Sequence, residues 1–156
     1  MSISQQLAQL VLGETKNALD GGYLYVFAGP VPVTQDEALD MVGSHTQLVR
    51  LEAEGLGLTF SAPIGNVLPK TVSEVWEGIV AFDGAEAASS SLTPTFYRFC
   101  AAGDDGRSAA TGVRLQGTAG GPASNAAIQF GSDVMTANGS NSVGLGIYNV
   151  TADQVS

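Results

Sequence analysis

One cysteine, one histidine and four of the fifteen carboxylates are the residues whose placement in the sequence could serve chemistry. Cys100 closes the run Phe96-Tyr-Arg-Phe-Cys100, two residues from Arg98 on the same side of an alternating segment. A thiol becomes a nucleophile when a nearby base or cation lowers its pKa and water can reach it. Set among Phe96, Phe99 and Ala101, Cys100 reads instead as a small core residue. His45 lies between Gly43-Ser44 and Thr46, in a predicted loop. With a single histidine, most Ser-His-Asp, Cys-His and His-metal arrangements would have to share it. Its surroundings predict a surface polar residue.

Asp83, Glu86, Asp104 and Asp105 offer oxygen ligands or a carboxylate pair. Calcium loops interleave their acids, as in D-x-D-x-D-G. Neither Asp83-Gly84 nor Asp104-Asp105-Gly106 does so, and both predict turns, because Asp and Gly tolerate positive φ. A glycosidase needs two carboxylates facing each other, and nothing in the sequence points to such a pair. Gly55-Leu-Gly57 and Gly144-Leu-Gly146 lack the third glycine and the following helix of a dinucleotide loop. No Walker A, G-x-S-x-G or zinc spacing occurs. No catalytic residue, cofactor or metal is therefore expected, and function falls to surface and assembly.

Bulk composition narrows the partners. The chain has 156 residues and a formal net charge of −9, from fifteen acidic and six basic side chains. Nucleic-acid binders carry a basic footprint; this balance predicts neither nucleic acid nor an anionic membrane as partner. No run approaches the ~20 apolar residues of a membrane span. The segment before Lys16 is amphipathic rather than continuously apolar, so no signal peptide is expected. One cysteine excludes an internal disulfide. Asn138-Gly-Ser140 and Asn149-Val-Thr151 match glycosylation triplets and, with no secretion signal, read as coincidences.

The elements that must carry these residues are mostly strands. Residues 3–19 predict the one helix, with Ile3, Leu7, Leu10, Val11, Glu14 and Ala18 at spacings of three and four. Ser2 and Gln5 suit a capping box, and Asp20-Gly-Gly22 a stop. The apolar face Ile3, Leu7, Leu10 and Val11 is the candidate interaction site. A helix this short is marginal alone in water, so that face needs cover, from its own domain or from a neighbour.

Tyr23–Phe27 predicts a strand, broken by Ala28-Gly-Pro-Val-Pro32; residues 34–41 suit a short helical turn. Strands follow at 47–52, 56–60, 96–101, 113–117, 126–130 and 142–150. Residues 118–123 read as loop. Residues 71–83 are ambiguous, with Thr71-x-x-Glu74 resembling a capping box and Val, Trp, Ile and Phe favouring strand. Short strands at regular spacing predict a mainly β fold, an antiparallel, jelly-roll-like sandwich with one N-terminal helix. The expected division is helix and turn at 1–22 and a single sandwich domain at 23–156. The expected core is Leu24, Val26, Leu58, Phe60, Trp76, Val80, Phe96 or Phe99, Val113, Leu115, Ile128, Phe130, Leu145 and Ile147.

Several of these segments, in this order, resemble a family of small tailed-bacteriophage virion proteins. The shared features are the helix with "LDGGYLYVF", then Lys70, Glu74 and Trp76, then Tyr97-Arg98-Phe99. The acidic turn Asp104-Asp105-Gly106 and the strand Val113–Gly117 follow, with two strands around a glycine loop at the end. The likeness runs from about Leu7 to Val150 and lapses between Met41 and Val67. It moves residues 71–83 toward strand. It implies a non-enzymatic capsid decoration or cement protein, made in the host bacterial cytoplasm and carried on the capsid surface of the virion. Its implied partner is the major capsid protein, and it implies a homo-oligomer, a trimer being favoured. A tail or head–tail accessory role stays open. So does a small glycan- or receptor-binding module, with Tyr23, Tyr25 and Tyr148 stacking on ligand. Under the implied reading the 94–121 stretch is scaffold, a β-hairpin with Arg98 and Arg114 as buried or interfacial ion-pair partners.

Overall fold

Ser4 starts the first helix by accepting the Leu7 amide on its hydroxyl at 3.2 Å, one of the orphan donors of a helix start. A computed structural model describes residues 4–110 and 112–155. Helix α1 spans Gln5–Leu19; Ile3 and Ser2, and with Ser2 the expected capping box, lie outside the described residues. Asp20 and Gly21 end it, the glycine at φ 87°, where a side chain would be strained. Asp20 also pairs with Lys16 and accepts the Phe60 amide at 2.9 Å, which ties the helix end to the sheet. A β-carbon on Gly22 would run into the Cys100 carbonyl, so the chain can leave the helix this closely only as glycine.

Among the described residues twelve short strands follow. They are β1 (Tyr23–Ala28), β2 (Thr46–Ala53), β3 (Val67–Pro69), β4 (Trp76–Ile79), β5 (Asp83–Gly84), β6 (Ser91–Leu92), β7 (Phe96–Cys100), β8 (Arg114–Gly120), β9 (Ile128–Gln129), β10 (Met135–Thr136), β11 (Ser142–Leu145) and β12 (Asn149–Thr151). A short helix α2 (Ala152–Val155) closes the described chain. The main sheet runs β11-β4-β2-β1-β7-β8-β9, with β5 beside β2; β3–β12 and β6–β10 form two small ladders. The protein is mainly β with an N-terminal helix.

The sheet is mixed, which corrects the all-antiparallel expectation. β9 runs parallel to β8 through Ala119↔Ile128 and Gly120↔Gln129. The short loop 121–127 folds the chain back on itself, held by Ser124 Oγ on the Gly121 carbonyl and the Phe130 amide on the Gly120 carbonyl. Two residue pairs are too few to leave a sequence pattern. Other segments shift for local reasons. Residues 34–41 hold a turn, with the Glu37 amide on the Thr34 carbonyl at 3.4 Å, and no helix grows from it, because the Thr34, Gln35 and Glu37 carbonyls accept from Arg98 and Arg114. Residues 56–60 make single bridges, Leu58 to Gly22 and Phe60 to Lys70, and no ladder. β8 continues through Gly120, past the expected break after Gly117. The expected strand at 142–150 divides into β11 and β12 around Gly146, Ile147 and Tyr148. Residues 71–83 yield strands β4 and β5; Glu74 caps no helix but accepts from Thr59 and the Trp76 indole.

The central strands are buried on both faces. Leu24, Val26 and Ala28 of β1 point into the main core with Leu51, Phe60, Trp76, Phe99 and Tyr148. Tyr25 and Phe27 point the other way, onto Phe96 and Cys100, under Leu39 and Met41 of the long β1–β2 connection. Both Phe96 and Phe99 are fully buried, one on each face. Most of the expected core is buried, with Leu115 partly so, but Val113 and Ile147 are exposed. Val113 precedes β8 and so escapes its alternation. Ile147 turns outward where β11 ends, and Tyr148 goes inward instead. The Tyr148 hydroxyl meets that of Tyr97 at 3.0 Å, which satisfies two polar groups that burial would otherwise strand.

Candidate assembly surface

Arg98 and Arg114 organise one side of the molecule. Arg98 is wholly buried on the outer face of β7. It donates to the carbonyls of Gly106 at 2.7 Å, Glu37 at 2.8 Å and Thr34 at 3.2 Å, and to Gln116 Oε1 at 2.9 Å. Arginine suits this work because its planar fork presents five donors. Among the described residues no carboxylate forms a salt bridge with it, which corrects the expectation of a buried ion pair for Arg98; burial lowers its pKa first of all. Arg114 does form the expected pair, with Asp104, and donates as well to the carbonyls of Gln35 at 3.1 Å and Ser108 at 2.8 Å. Gln116 reaches the Pro32 carbonyl at 2.9 Å. The 30–37 segment, rich in proline and short of its own backbone bonds, is thus pinned by side chains of β7 and β8.

Helix α1 lies next to this segment and has two faces. Ala8, Leu12, Thr15 and Leu19 pack inward, and Ala8, Leu12 and Leu19 join the main core. The candidate face points elsewhere. Leu7 is 47% exposed and Leu10 69% exposed, while Val11 is half-buried. The 3.6 period explains the result: one helix offers adjacent apolar stripes, and the shorter side chain of Ala8 and the branched Leu12 face the sheet.

Between α1 and the start of β8 runs an open groove of about 730 Å³. Leu10, Val11 and Ala18 line it from the helix, Val113 and Leu115 from the strand, and Val155 from α2. Its rim carries Glu14 and Asp36. An adjoining pocket of about 240 Å³ shares Gln35, Arg114, Leu115 and Gln154 with the groove and reaches Tyr97 and Tyr148.

The residues singled out for chemistry do not converge. Cys100 is fully buried, and burial pushes its thiol up to about 12, with the Asp104 charge adding and the two arginines opposing. A thiol so held is the opposite of a thiolate nucleophile. His45 corrects the surface expectation: only 8% exposed, it accepts the Asp40 amide on Nδ1 at 3.0 Å and donates from Nε2 to the Pro30 carbonyl at 2.8 Å. Its ring stands edge-on to Phe96, with centroids 5.7 Å apart. Such a histidine fixes the start and end of the β1–β2 connection. Asp83 pairs with Arg107, Asp104 with Arg114, and Asp105 accepts the Arg107 amide in its turn. The Asp104 turn has the expected form, with the Gly106 amide on Asp104 Oδ1 and Gly106 at φ 77°. No group of three or more His, Cys, Asp or Glu able to hold a metal lies among the described residues. Tyr25 and Tyr148 are buried and Tyr23 partly so, with Arg50 over its ring. No helix among the described residues is long and apolar enough to cross a membrane.

Compared with protein-family models, curated proteins and solved structures, the chain has no match in any of the three. Nothing in the sequence marks Glu14, Asp36, Val113 or Val155 as a binding residue: Glu14 belongs to the helical repeat and Val113 to the expected core, and Asp36 and Val155 come near them only through the fold.

Proposed function

We propose that the protein is a non-enzymatic virion structural protein, a capsid decoration or cement protein that binds the major capsid protein through the outer face of α1. The observation that carries this reading is the division of labour on that helix. Ala8, Leu12 and Leu19 are spent on the protein's own core, and Leu7 and Leu10 are left in water beside an apolar groove. Leu7 at 47% and Leu10 at 69% exposure each forgo part of the ~1.5–3 kcal/mol that full burial brings, a part that docking recovers. The resemblance to small tailed-phage virion proteins supplies the class of partner.

Other features support the same reading. Two faces of one sheet are packed, and the small ladders β3–β12 and β6–β10 send Leu68, Val150, Met135 and Leu92 into the same core. That arrangement suits the finer proposal of a jelly-roll-like sandwich, a stiff body for a shell lattice. A trimer would bind several capsid subunits at once and gain avidity without a new kind of contact. The acidic balance favours a place on the capsid exterior, away from nucleic acid and membrane. The glycan-module alternative is weakened because Tyr25 and Tyr148 are buried and cannot stack on a sugar. A density map of the intact particle tests the proposal. It places regular copies of this chain on the shell with α1 toward the capsid protein; a shell bare of it sinks the proposal.

A further inference from the structure

We infer that the groove between α1 and β8 is a preformed seat for an extended, apolar segment of a different protein that carries Lys or Arg on its flanks. The inference rests on the docking role proposed for α1, and it adds the chemistry of the occupant. Three observations lead to it.

The first is shape and lining. The groove holds about 730 Å³ and presents Leu10, Val113 and Val155 as apolar contacts. Leu10 and Val113 are 69% and 45% exposed, so little of the chain's own side covers them.

The second is rigidity. One wall is a helix fixed by Leu12 and Leu19 in the core. Another is Gln35 and Asp36, whose backbone is pinned. The Gln35 carbonyl accepts from Arg114, the Asp36 carbonyl from the Ala110 amide at 3.2 Å, and the flanking carbonyls of Thr34 and Glu37 from Arg98. A seat ordered before its ligand arrives loses less entropy on binding.

The third is charge, and it selects the occupant. Glu14 and Asp36 line the groove, both side chains are exposed, and neither is in an ion pair among the described residues. Among the described residues no Lys or Arg is without a partner of its own. Of its six Lys and Arg, Lys16, Arg50, Arg107 and Arg114 are paired with Asp20, Glu52, Asp83 and Asp104. Lys70 is buried on the carbonyls of Thr71 and Glu74, and Arg98 is wholly buried. A second copy would therefore bring more acid to an acidic rim, under a net charge of −9 on each copy. A basic segment of another protein completes the rim where a second copy repels it.

Two synthetic peptides of equal length test this, one alternating Leu and Lys and one alternating Leu and Glu, each titrated into the isotopically labelled full chain and followed by NMR. The Leu–Lys peptide is expected to shift amides at 10–18, 35–36, 112–115 and 154–155, with affinity falling as salt rises. E14Q/D36N changes only exposed side chains, so the fold is kept, and it weakens that binding about five- to tenfold. Equal binding of both peptides, shifts elsewhere, or no binding overturns the inference. Concentration-dependent shifts of the same amides without peptide identify the occupant as a second copy and also overturn it. Absence from virions with the Leu–Lys peptide still bound removes the proposed function and leaves the seat standing.

Discussion

Arg114 grips Asp104 with two parallel hydrogen bonds, Nε to Oδ2 at 2.6 Å and Nη2 to Oδ1 at 2.7 Å. The guanidinium is almost wholly buried and the carboxylate partly exposed, so the pair closes the 101–113 loop from within. The Arg114 hydrogen bonds, helped by the Gly106 amide and opposed by burial, hold the Asp104 carboxyl below its usual range. A carboxylate lowered in the folded state contributes stability above its unfolded pKa of ~3.9 that is lost as pH falls through the folded value. Asp104→Asn is expected to cost roughly 3 kcal/mol at neutral pH and to flatten the acid limb of stability against pH. Urea midpoints between pH 2 and 7 check this; parallel acid limbs for variant and parent would refute it.

Arg98 is expected to be sensitive as well. Arg98→Met keeps the stem and strands the carbonyls of Thr34, Glu37 and Gly106. Only the Gly106 bond is fully buried, the other two being part-buried; a buried acceptor left unpaired costs ~1–3 kcal/mol, so a loss of about 2–3 kcal/mol is expected. Hydrogen exchange locates it: amides at 34–39 and 104–110 open first. A variant as stable as the parent would show that the loops hold without the arginine.

Cys100 should be silent in the native protein. Its thiol, raised to about 12 by burial, stays protonated and unreachable. A disulfide reagent at pH 8 is expected to modify it only after denaturation. The sign of the linkage follows: this contribution to stability is whole below the unfolded thiol value of ~8.5 and fades as pH rises toward 12. Rapid labelling of folded protein would contradict the burial.

Much of this architecture could be read from residue order. Alternation placed Leu24 and Val26 and left open which of Phe96 and Phe99 faced the core, and the Asp104-Asp105-Gly106 turn followed from its own chemistry. The failures share a cause. His45 and Tyr148 take their environments from segments distant in sequence, the Pro30 carbonyl for one and Tyr97 and Phe60 for the other, and no local period encodes that. On α1 the same repeat that marked Leu7, Leu10 and Val11 also fits Ala8, Leu12, Thr15 and Leu19; only the sheet decides which stripe is buried. The groove was illegible, because its walls come from four separate stretches.

The tyrosine pair offers a quieter test of the core. Tyr148→Phe leaves the buried Tyr97 hydroxyl without its 3.0 Å partner. A loss of ~1–2 kcal/mol is expected, with near-unchanged packing, because the rings of Phe60, Trp76 and Phe99 around it keep their contacts. An unchanged melting curve would mean that water or another group replaces the bond.

The central claim is that Leu7 and Leu10 serve assembly and not the protein's own stability. The measurement that meets it most directly is the occupancy of Leu7→Ser/Leu10→Ser on purified particles, by quantitative mass spectrometry against the capsid protein, with the melting curve of the free subunit as its control. The account predicts a loss of occupancy of about tenfold or more, as two buried leucines imply, while the free subunit melts within a few degrees of the parent. Full occupancy of the double variant, or a subunit that unfolds as if its core were cut, would contradict it.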